Sequence, residues 1–487
     1  MRIISPDIPA LPAKQCVKIM IIKRSRLWRT ASLLAMTALL AGCGSLVQYN
    51  INEPLSEYKP DHGYTIKSID LAPGDSKIFM VVLFSGGGAR SAALGYGVLE
   101  ELARNKFVQD GKNRRLFDEV DLVYGVSGGS ILAAYYGLHG EDVFPSFNDR
   151  FLNLDFQDKI VSRIISFSNQ WRLTSPRFGR SDLLEEQLDE VLFDKKTFSD
   201  LASKKRKGPL TIISATDMSS GARFDFIQET FDFLCSDLNR FPISRAVAAS
   251  SAVPLLFSPI TLWNYAGTCD FHVPDTLLAA ADNNKRGRIA AVSRTRAKEL
   301  FSYLDPIKRP YIHLLDGGLS DNLSIRSILD MEALVGSEEV RQDFRLDEME
   351  KLVLVVVNAQ NNPENTIDQS ADVPGFRDVI RAISDIPIAR YTQETELAMQ
   401  SSIERWQEAG RLRAEQNHTK APSVYYINVS LKNMTNEEER MDLLNVPTSL
   451  YLPKKTVREL RSAATTLLHE SPEFQRLLKD LAVQAGN

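Results

Sequence analysis

Cysteine and histidine are scarce in this chain. Its 487 residues include four cysteines and six histidines. After position 43 only Cys235 and Cys269 remain, so at most one intramolecular disulfide can form there. These two would pair in an oxidising compartment, but two buried free thiols would leave the same sequence. Cys269, Asp270 and His272 lie close together without completing a metal-ligand spacing, so we expect no metal site.

Strong net charge is also missing. Hydrophobic residues make up 44% of the chain and charged residues 25%, as in ordinary folded proteins. The formal net charge is −4, and residues 1–42 carry seven of the basic and one of the acidic residues. Without them 51 basic and 61 acidic residues remain, a net charge of −10. An acidic body argues against nucleic acid as a partner.

The first 42 residues have the pattern of a secretory signal. Basic residues between positions 18 and 29 precede the apolar run 31–40, which is too short to span a bilayer comfortably. Leu40-Ala41-Gly42-Cys43 resembles the lipobox of bacterial lipoproteins, which implies that Cys43 becomes a lipidated N-terminus after cleavage. By the same resemblance the non-acidic Gly44 suggests the outer membrane of a bacterial cell envelope. A plain signal peptide with an incidental cysteine is the alternative.

The remaining composition divides the chain into a few regions. Residues 43–76 are polar and contain three prolines, which predicts a tether. No internal repeat appears, which favours one large α/β domain with helical additions. The predicted regions begin with a signal peptide at 1–42, for which Met20 is an alternative start, and the lipidated tether at 43–76. The α/β domain follows at 77–360, with a mostly helical insertion at 141–208 and an irregular exposed excursion at 264–310. A helical C-terminal region at 361–487 is expected to pack on this domain.

Two strand-loop-helix units follow each other in the α/β domain. The apolar run 77–84 predicts a strand buried on both faces, which leads through glycines into a helix. The same pattern recurs over 121–138. Two such units in succession predict a mostly parallel central sheet with helices on both faces. The β-branched run 351–358 belongs in the centre of that sheet.

The second unit carries the candidate nucleophile. Gly125-Val126-Ser127-Gly128-Gly129 fits G-x-S-x-G, in which a strained turn between strand and helix exposes the serine hydroxyl. Ser127 would also lie at a helix N-terminus, where free N–H groups favour developing negative charge. A Gly/Ser-rich turn without catalytic function is the alternative.

A serine hydroxyl needs a base to accept its proton. None of the histidines is well placed for this role, and His313 falls in the middle of a predicted strand, which favours a core histidine. Asp316 is the better candidate because it ends that strand, and catalytic groups collect at the carboxyl ends of strands in α/β sheets. It precedes Gly317-Gly318, so an ordinary Asp-Gly turn would explain it equally well.

The first unit contains a glycine loop, Gly86-Gly87-Gly88. Its backbone N–H groups can converge on an oxyanion, aided by the positive end of the following helix. A nucleotide phosphate is the rival ligand, but the loop lacks both the G-K-[ST] ending of a P-loop and the G-x-G-x-x-G spacing. The apolar stretch 253–257 could line an acyl pocket or pack in the core.

Four motifs, in this order and spacing, resemble those of the patatin-like phospholipase family. They are Phe84-Ser-Gly-Gly-Gly-Ala-Arg-Ser91, Tyr124-Gly-Val-Ser-Gly-Gly129, Ala248-Ala-Ser-Ser-Ala-Val-Pro254 and Leu315-Asp-Gly-Gly-Leu-Ser-Asp-Asn322. The resemblance covers residues 78–326 and implies an α/β fold of the patatin type. It also implies a site without metal or cofactor: Ser127 as nucleophile, Asp316 as general base of a Ser-Asp dyad, Gly86, Gly87 and Gly88 as the oxyanion hole, and Arg90 at the family's basic loop position.

The expected function is therefore a serine lipid acyl hydrolase that acts on acyl esters of phospholipids or related lipids. Lipidation of Cys43 would hold it at its membrane substrate. Two alternatives remain open. A lipid acyltransferase would use the same dyad with an alcohol as acceptor, and a non-catalytic envelope lipoprotein would keep the fold for binding partners.

Overall fold

The computed structural model describes residues 47–60, 62–66, 77–203, 207–282, 287–333, 349–361 and 369–482. The predicted signal peptide and Cys43 lie outside these residues. The chain forms two compact units, one with residues 164–179 and 47–49 and the other with the rest of the described residues. In the smaller unit Tyr49 N–H donates to Arg177 O at 2.7 Å, and Arg172 lies over the ring of Phe178.

The larger unit is built on one mixed sheet with the order β10-β9-β1-β4-β5-β8-β7. Neighbours from β10 to β5 pair in parallel, whereas β5–β8 and β8–β7 pair antiparallel. β6 pairs with β5, and β2 and β3 form a separate hairpin. The strands are β1 (Ile78–Phe84), β2 (Lys106–Gln109), β3 (Lys112–Arg115), β4 (Val120–Val126), β5 (Leu210–Asp217), β6 (Arg223–Asp225), β7 (Ile260–Trp263), β8 (Tyr311–Leu315), β9 (Lys351–Asn358) and β10 (Ser423–Ser430).

Helices flank the sheet of the larger unit, and one short helix, residues 167–172, belongs to the smaller unit. They are α1 (Ala89–Arg104), α2 (Gly128–His139), α3 (Val143–Phe147), α4 (Phe156–Ile165), α5 (Phe167–Arg172), α6 (Arg180–Leu188), α7 (Phe198–Ala202), α8 (Gln228–Asp232), α9 (Ile243–Ser250), α10 (Asp275–Ala280), α11 (Arg288–Phe301), α12 (Gly318–Asp321), α13 (Phe376–Asn417), α14 (Glu437–Leu444), α15 (Lys454–Glu470) and α16 (Pro472–Asp480). In the described part of the chain, every helix is too short or too polar to cross a lipid bilayer.

The sequence pattern of the central strands explains their place in the sheet. All seven residues of β1 are buried, and β9 buries six of its eight. A strand covered on both faces needs such a continuous apolar run, because alternating polar residues would be left without water. The prediction of a mostly parallel α/β sheet with C-terminal helices is confirmed.

Residues 50–66, predicted to belong to a tether, instead pack on the larger unit where they are described. The Tyr64 side chain is fully buried, and its hydroxyl donates to Thr211 O and accepts from Thr211 N–H, both at 2.8 Å. Asn52 bridges Ser236 and Trp263 with its side-chain amide. The tether prediction is therefore wrong for this stretch. Its polar side chains form hydrogen bonds with backbone groups far away in the sequence, and composition does not reveal such contacts.

Two further regions differ from the expectation. The excursion at 264–310 contains α11, whose Ser293, Arg296, Ala297 and Leu300 are buried, so it is more regular than the run Asp282–Arg288 suggested. The C-terminal region is not purely helical, because β10 lies at the edge of the central sheet and pairs with β9 along its whole length. Its alternating burial is typical of an edge strand with one covered face.

Cys235 and Cys269 form a disulfide, which resolves the two readings left open by the sequence. The bond joins two loops that also receive the N-terminal segment: Leu55 N–H donates to Cys235 O at 2.7 Å and Tyr58 N–H to Cys269 O at 3.1 Å.

Removal of this disulfide should lower stability. The cysteines are 34 positions apart, and opening a loop of that length costs about 3–4 kcal/mol of unfolding free energy in the chain-entropy account. We expect the double variant Cys235→Ser, Cys269→Ser to unfold at lower urea concentration than the oxidised wild type. Reduced wild type is the matched control and should behave like the variant. Equal midpoints for oxidised wild type and variant would contradict the expectation.

Candidate active site

Ser127 occupies a strained turn between β4 and α2. Its backbone angles are φ 51° and ψ −125°, a region that residues with a Cβ rarely adopt. Hydrogen bonds hold the turn in place. Ser127 N–H donates to Ser250 Oγ at 2.8 Å, and Ser250 Oγ in turn donates to Ser214 O at 2.6 Å. Ser130 Oγ donates to Ser127 O at 2.6 Å. The geometry is that of a nucleophile elbow.

The residue after the serine has to be glycine. A Cβ on Gly128 would lie 2.1 Å from the carbonyl oxygen of Gly88, far inside van der Waals contact. The elbow and the glycine loop therefore touch backbone to backbone. This contact joins the two strand-loop-helix units that the sequence showed separately.

Asp316 follows β8 and meets Ser127 directly. Ser127 Oγ donates to Asp316 Oδ2 at 2.8 Å, and Gly318 N–H donates to Asp316 Oδ1 at 2.8 Å. The backbone of this turn is fixed by the end of α9, because Asp316 N–H donates to Ala252 O and Gly317 N–H to Ser250 O, both at 3.0 Å. Residues 250–252 therefore hold the backbone at both Ser127 and Asp316 in place through hydrogen bonds.

The environment of Asp316 tunes its acidity. Burial raises the pKa of the carboxyl to about 6, against the smaller opposing effects of the hydrogen bonds from Gly318 N–H and the Ser127 hydroxyl. With that pKa, roughly nine-tenths of the side chain is ionised at pH 7 and able to accept a proton. A carboxylate with a raised pKa is a stronger base than an exposed one.

No histidine in the described residues hydrogen-bonds to Ser127 or Asp316. His313, predicted as a core residue in the strand that leads to Asp316, is exposed, and its Nδ1 lies 2.9 Å from Thr261 Oγ1. His469 contacts Glu101 at 2.8 Å, away from the elbow. The pair of Ser127 and Asp316 is therefore a two-residue arrangement.

The glycine loop joins β1 to α1 and lies beside the elbow. Gly86 N–H donates to Asn322 O at 3.1 Å, so this predicted oxyanion donor is already engaged. Gly87 and Gly88 have φ of 136° and 62°, and their N–H groups have no partner in the described part of the chain. The first helical residue, Gly128, adds a further N–H without an intrahelical partner. Sequence reasoning missed this last donor, although its position directly after the serine indicates it.

Arg90 does not point at the substrate side of the loop. Its side chain is 1% exposed. Nε donates to Ala359 O at 2.7 Å, and the two terminal nitrogens donate to Val446 O and, at 3.1 Å, to Thr448 Oγ1. Burial lowers the pKa of this guanidinium to about 10, a value that keeps it charged at neutral pH. The basic loop position is therefore a buried structural contact.

The apolar stretch 253–257 lies next to the dyad and is neither a core segment nor an enclosed pocket. Leu255 and Leu256 are 57% and 62% exposed. A depression of about 730 Å³ lies elsewhere, between α11 and β8, and Ser127 and Asp316 are not among its lining residues. The described residues contain no cluster of side chains that could hold a metal ion.

Comparison with known proteins identifies related chains. The model of the family described as patatin-like phospholipase matches residues 82–329, just over half of the chain. The uncharacterized protein YqhO of Bacillus subtilis is 30% identical over 205 residues, which cover 38% of this chain and 60% of YqhO. The match thus spans less than two thirds of that relative.

Structural comparison also matches the chain to two solved structures. Human GIVD cytosolic phospholipase A2 superposes with a TM-score of 0.40 at 13% identity, covering 86% of this chain and 64% of that one. VipD from Legionella pneumophila superposes with a TM-score of 0.30 at 14% identity, covering 89% of this chain and 71% of VipD. Both superpositions are loose, so the family assignment rests on the family model.

Proposed function

The chain belongs to the patatin-like phospholipase family, whose members are lipid acyl hydrolases, and on that premise we propose that it cleaves acyl esters of phospholipids or related lipids with Ser127 as nucleophile and Asp316 as general base. One observation carries the proposal. The Ser127 hydroxyl donates to a buried carboxylate at 2.8 Å from a strained elbow, which is the arrangement that a serine nucleophile requires.

The reaction proceeds in two stages. Asp316 accepts the Ser127 proton as Oγ attacks the ester carbonyl carbon, and the N–H groups of Gly87, Gly88 and Gly128 stabilise the oxyanion of the tetrahedral intermediate. The intermediate collapses, and the leaving alcohol takes the proton from Asp316. A water molecule then gives a proton to Asp316 and attacks the acyl-serine. Fatty acid leaves, and Ser127 regains its proton.

The surface beside the dyad supports an apolar substrate. Leu255 and Leu256 are exposed on the loop that follows Ala252, whose carbonyl accepts from Asp316 N–H. Exposed leucines favour contact with acyl chains over contact with water. The acidic body argues against a nucleic-acid substrate.

The direct test is release of free fatty acid from mixed phospholipid vesicles by the purified protein. We expect release by wild type and none above background by Ser127→Ala. Addition of an acceptor alcohol separates hydrolase from acyltransferase, because a transferase would form the new ester at the expense of fatty acid. An absence of both products, together with no labelling by a fluorophosphonate, would favour the non-catalytic lipoprotein.

Membrane attachment through Cys43 is part of the proposal and rests on the lipobox pattern alone. In a bacterial host grown with labelled palmitate, we expect wild type to carry the label in the outer-membrane fraction and Cys43→Ser to carry none, because one residue carries the acyl chains. Cys16→Ser is the matched control and should be labelled like wild type. Equal labelling of Cys43→Ser and wild type would contradict lipid anchoring at this residue.

A further inference from the structure

A short segment between α14 and α15, residues 446–449, lies against the glycine loop. We call it the C-terminal clasp. Ser449 O accepts from Ala89 N–H at 2.7 Å, and a Cβ on Gly88 would lie 2.2 Å from the same oxygen. The clasp is separated from the loop by more than 350 positions of sequence and lies outside the region matched by the family model.

Arg90 links the clasp to the sheet. Its guanidinium donates to two clasp residues, Val446 and Thr448, and to Ala359, which directly follows β9. Its hydrogen-bond acceptors are carbonyl and hydroxyl oxygens, and the negative charge that acts on it, Asp385, only partly offsets the effect of burial on its pKa. A buried cation is costly unless each N–H finds an acceptor, so the geometry of these contacts is closely specified.

Gly88 is in close contact with the clasp on one side and with the start of α2 on the other. Ser449 lies against the place where its Cβ would be, and its own carbonyl lies against Gly128 at the start of α2. The loop therefore cannot shift toward either side without breaking a contact. An oxyanion hole needs this rigidity, because its donors must face the transition state without reorganising.

We infer that the C-terminal clasp and Arg90 position the N–H groups of Gly87 and Gly88 for the oxyanion. This inference rests on the proposed function and extends its machinery into the C-terminal region. Arg90 is then a positioning residue that acts through the loop. It does not bind the phosphate of a substrate head group, since its side chain is 1% exposed and each of its three nitrogens already donates a hydrogen bond.

The test uses two variants and one matched control in the full mature chain. Arg90→Met keeps an unbranched apolar stem and removes the donors of the side chain. Ala89→Pro removes the N–H that donates to Ser449 O and puts the proline ring against that oxygen, so it displaces the clasp. The backbone of the loop accepts the change, because Ala89 is the first residue of α1 and Gly88, at φ 62° and ψ −142°, has angles that a glycine before proline can adopt. The control is Arg461→Met, because Arg461 joins α15 to Glu100 of α1 at 2.7 and 2.9 Å without touching the loop.

Hydrolysis of an uncharged soluble ester and of anionic phospholipid vesicles, fluorophosphonate labelling of Ser127 and thermal unfolding are measured for each protein. We expect both loop variants to lower kcat about 10- to 100-fold, with KM within about twofold of wild type, and to slow labelling in parallel. Labelling follows because the phosphonyl oxygen occupies the same hole. Arg461→Met should also lower the unfolding temperature, because it removes the ion pair with Glu100, and should leave kcat close to wild type.

Two results would overturn the inference while the proposed function stands. One is an active wild type whose Arg90→Met variant raises KM only for anionic phospholipids, which would make Arg90 a head-group ligand. The other is loss of kcat in Arg461→Met equal to that in Arg90→Met, which would reduce the clasp to general stability. A wild type with neither hydrolysis nor labelling overturns the proposed function and the inference together.

Discussion

Replacement of Ser127 by alanine should abolish ester hydrolysis, with kcat reduced by about 10⁴- to 10⁶-fold. The hydroxyl is the atom that attacks the substrate, and no neighbouring side chain in the described structure can take its place, since the Ser130 and Ser250 hydroxyls donate to carbonyl oxygens. Binding and the oxyanion donors would remain, so a small residual rate over water is expected.

A second substitution at the same position separates catalysis from strain. Ser127→Gly should be as inactive as Ser127→Ala but more stable, by about 1–2 kcal/mol, because glycine adopts φ 51° and ψ −125° without a steric penalty. Urea unfolding of the two variants measures the difference. Equal stabilities would contradict the view that the fold holds Ser127 in a strained conformation.

Replacement of Asp316 by asparagine should lower kcat by about 10³- to 10⁴-fold. Asparagine preserves the volume of the side chain and can still accept from Gly318 N–H, but it cannot take the Ser127 proton. In wild type, activity should rise between pH 5 and pH 7 as a group with pKa of about 6 loses its proton. The residual activity of Asp316→Asn should not show this rise between pH 5 and pH 7. Asp321→Asn is the control, because burial raises the pKa of Asp321 to about 7 and this residue could otherwise account for the same rise.

The raised pKa of Asp316 also has a consequence for stability. The folded protein holds the proton more tightly than the unfolded chain, so this group lowers stability progressively as the pH rises from about 4 to about 6. The full effect is about 3 kcal/mol above pH 6. Asp316→Asn should therefore be more stable than wild type at pH 7 and not at pH 3. A variant less stable than wild type at pH 7 would contradict this account.

The fold and the two turns that carry Ser127 and Asp316 could be predicted from sequence because their determinants are local. The strands β1 and β9 are continuous apolar runs, and the turns at Ser127 and Asp316 are short motifs with fixed backbone requirements. The order of these motifs along the chain resembles that of the patatin-like phospholipase family, and this resemblance predicted the roles of Ser127 and Asp316. Strand direction alone does not explain their contact at 2.8 Å, because β8 runs antiparallel to β5. The two side chains meet because the end of β8, at Leu315, pairs with Thr216 near the end of β5.

The supporting contacts were not accessible, because they join residues that are distant in sequence. Ser250 accepts from Ser127 N–H across 123 positions, and Tyr64 bonds Thr211 across 147. The sequence around a single serine or tyrosine does not indicate its hydrogen-bond partner when it shows no periodic pattern. The occupied N–H of Gly86 has the same origin, since Asn322 reaches it only after α12 has formed.

The strand β10 was missed for a different reason. Its residues, Ser423–Ser430, follow the 42-residue helix α13, and the strand begins and ends with serine. Tyr425, Ile427 and Val429 on one face are buried, whereas Tyr426 and Asn428 on the other face are only partly buried, so its apolar pattern is weaker than that of β1 or β9. Its position in the sheet brings the following segment, with the clasp, back toward the glycine loop.

Whether Ser127 is the nucleophile can be tested by identifying the residue that reacts with a fluorophosphonate. The wild-type protein is treated with the probe, digested and analysed by peptide mass spectrometry, with Asp316→Asn treated in parallel. We expect a single phosphonylated serine, Ser127, in wild type and a much slower reaction at the same residue in the variant. Modification of a different residue, or continued ester hydrolysis by wild type with Ser127 unmodified, would contradict this expectation.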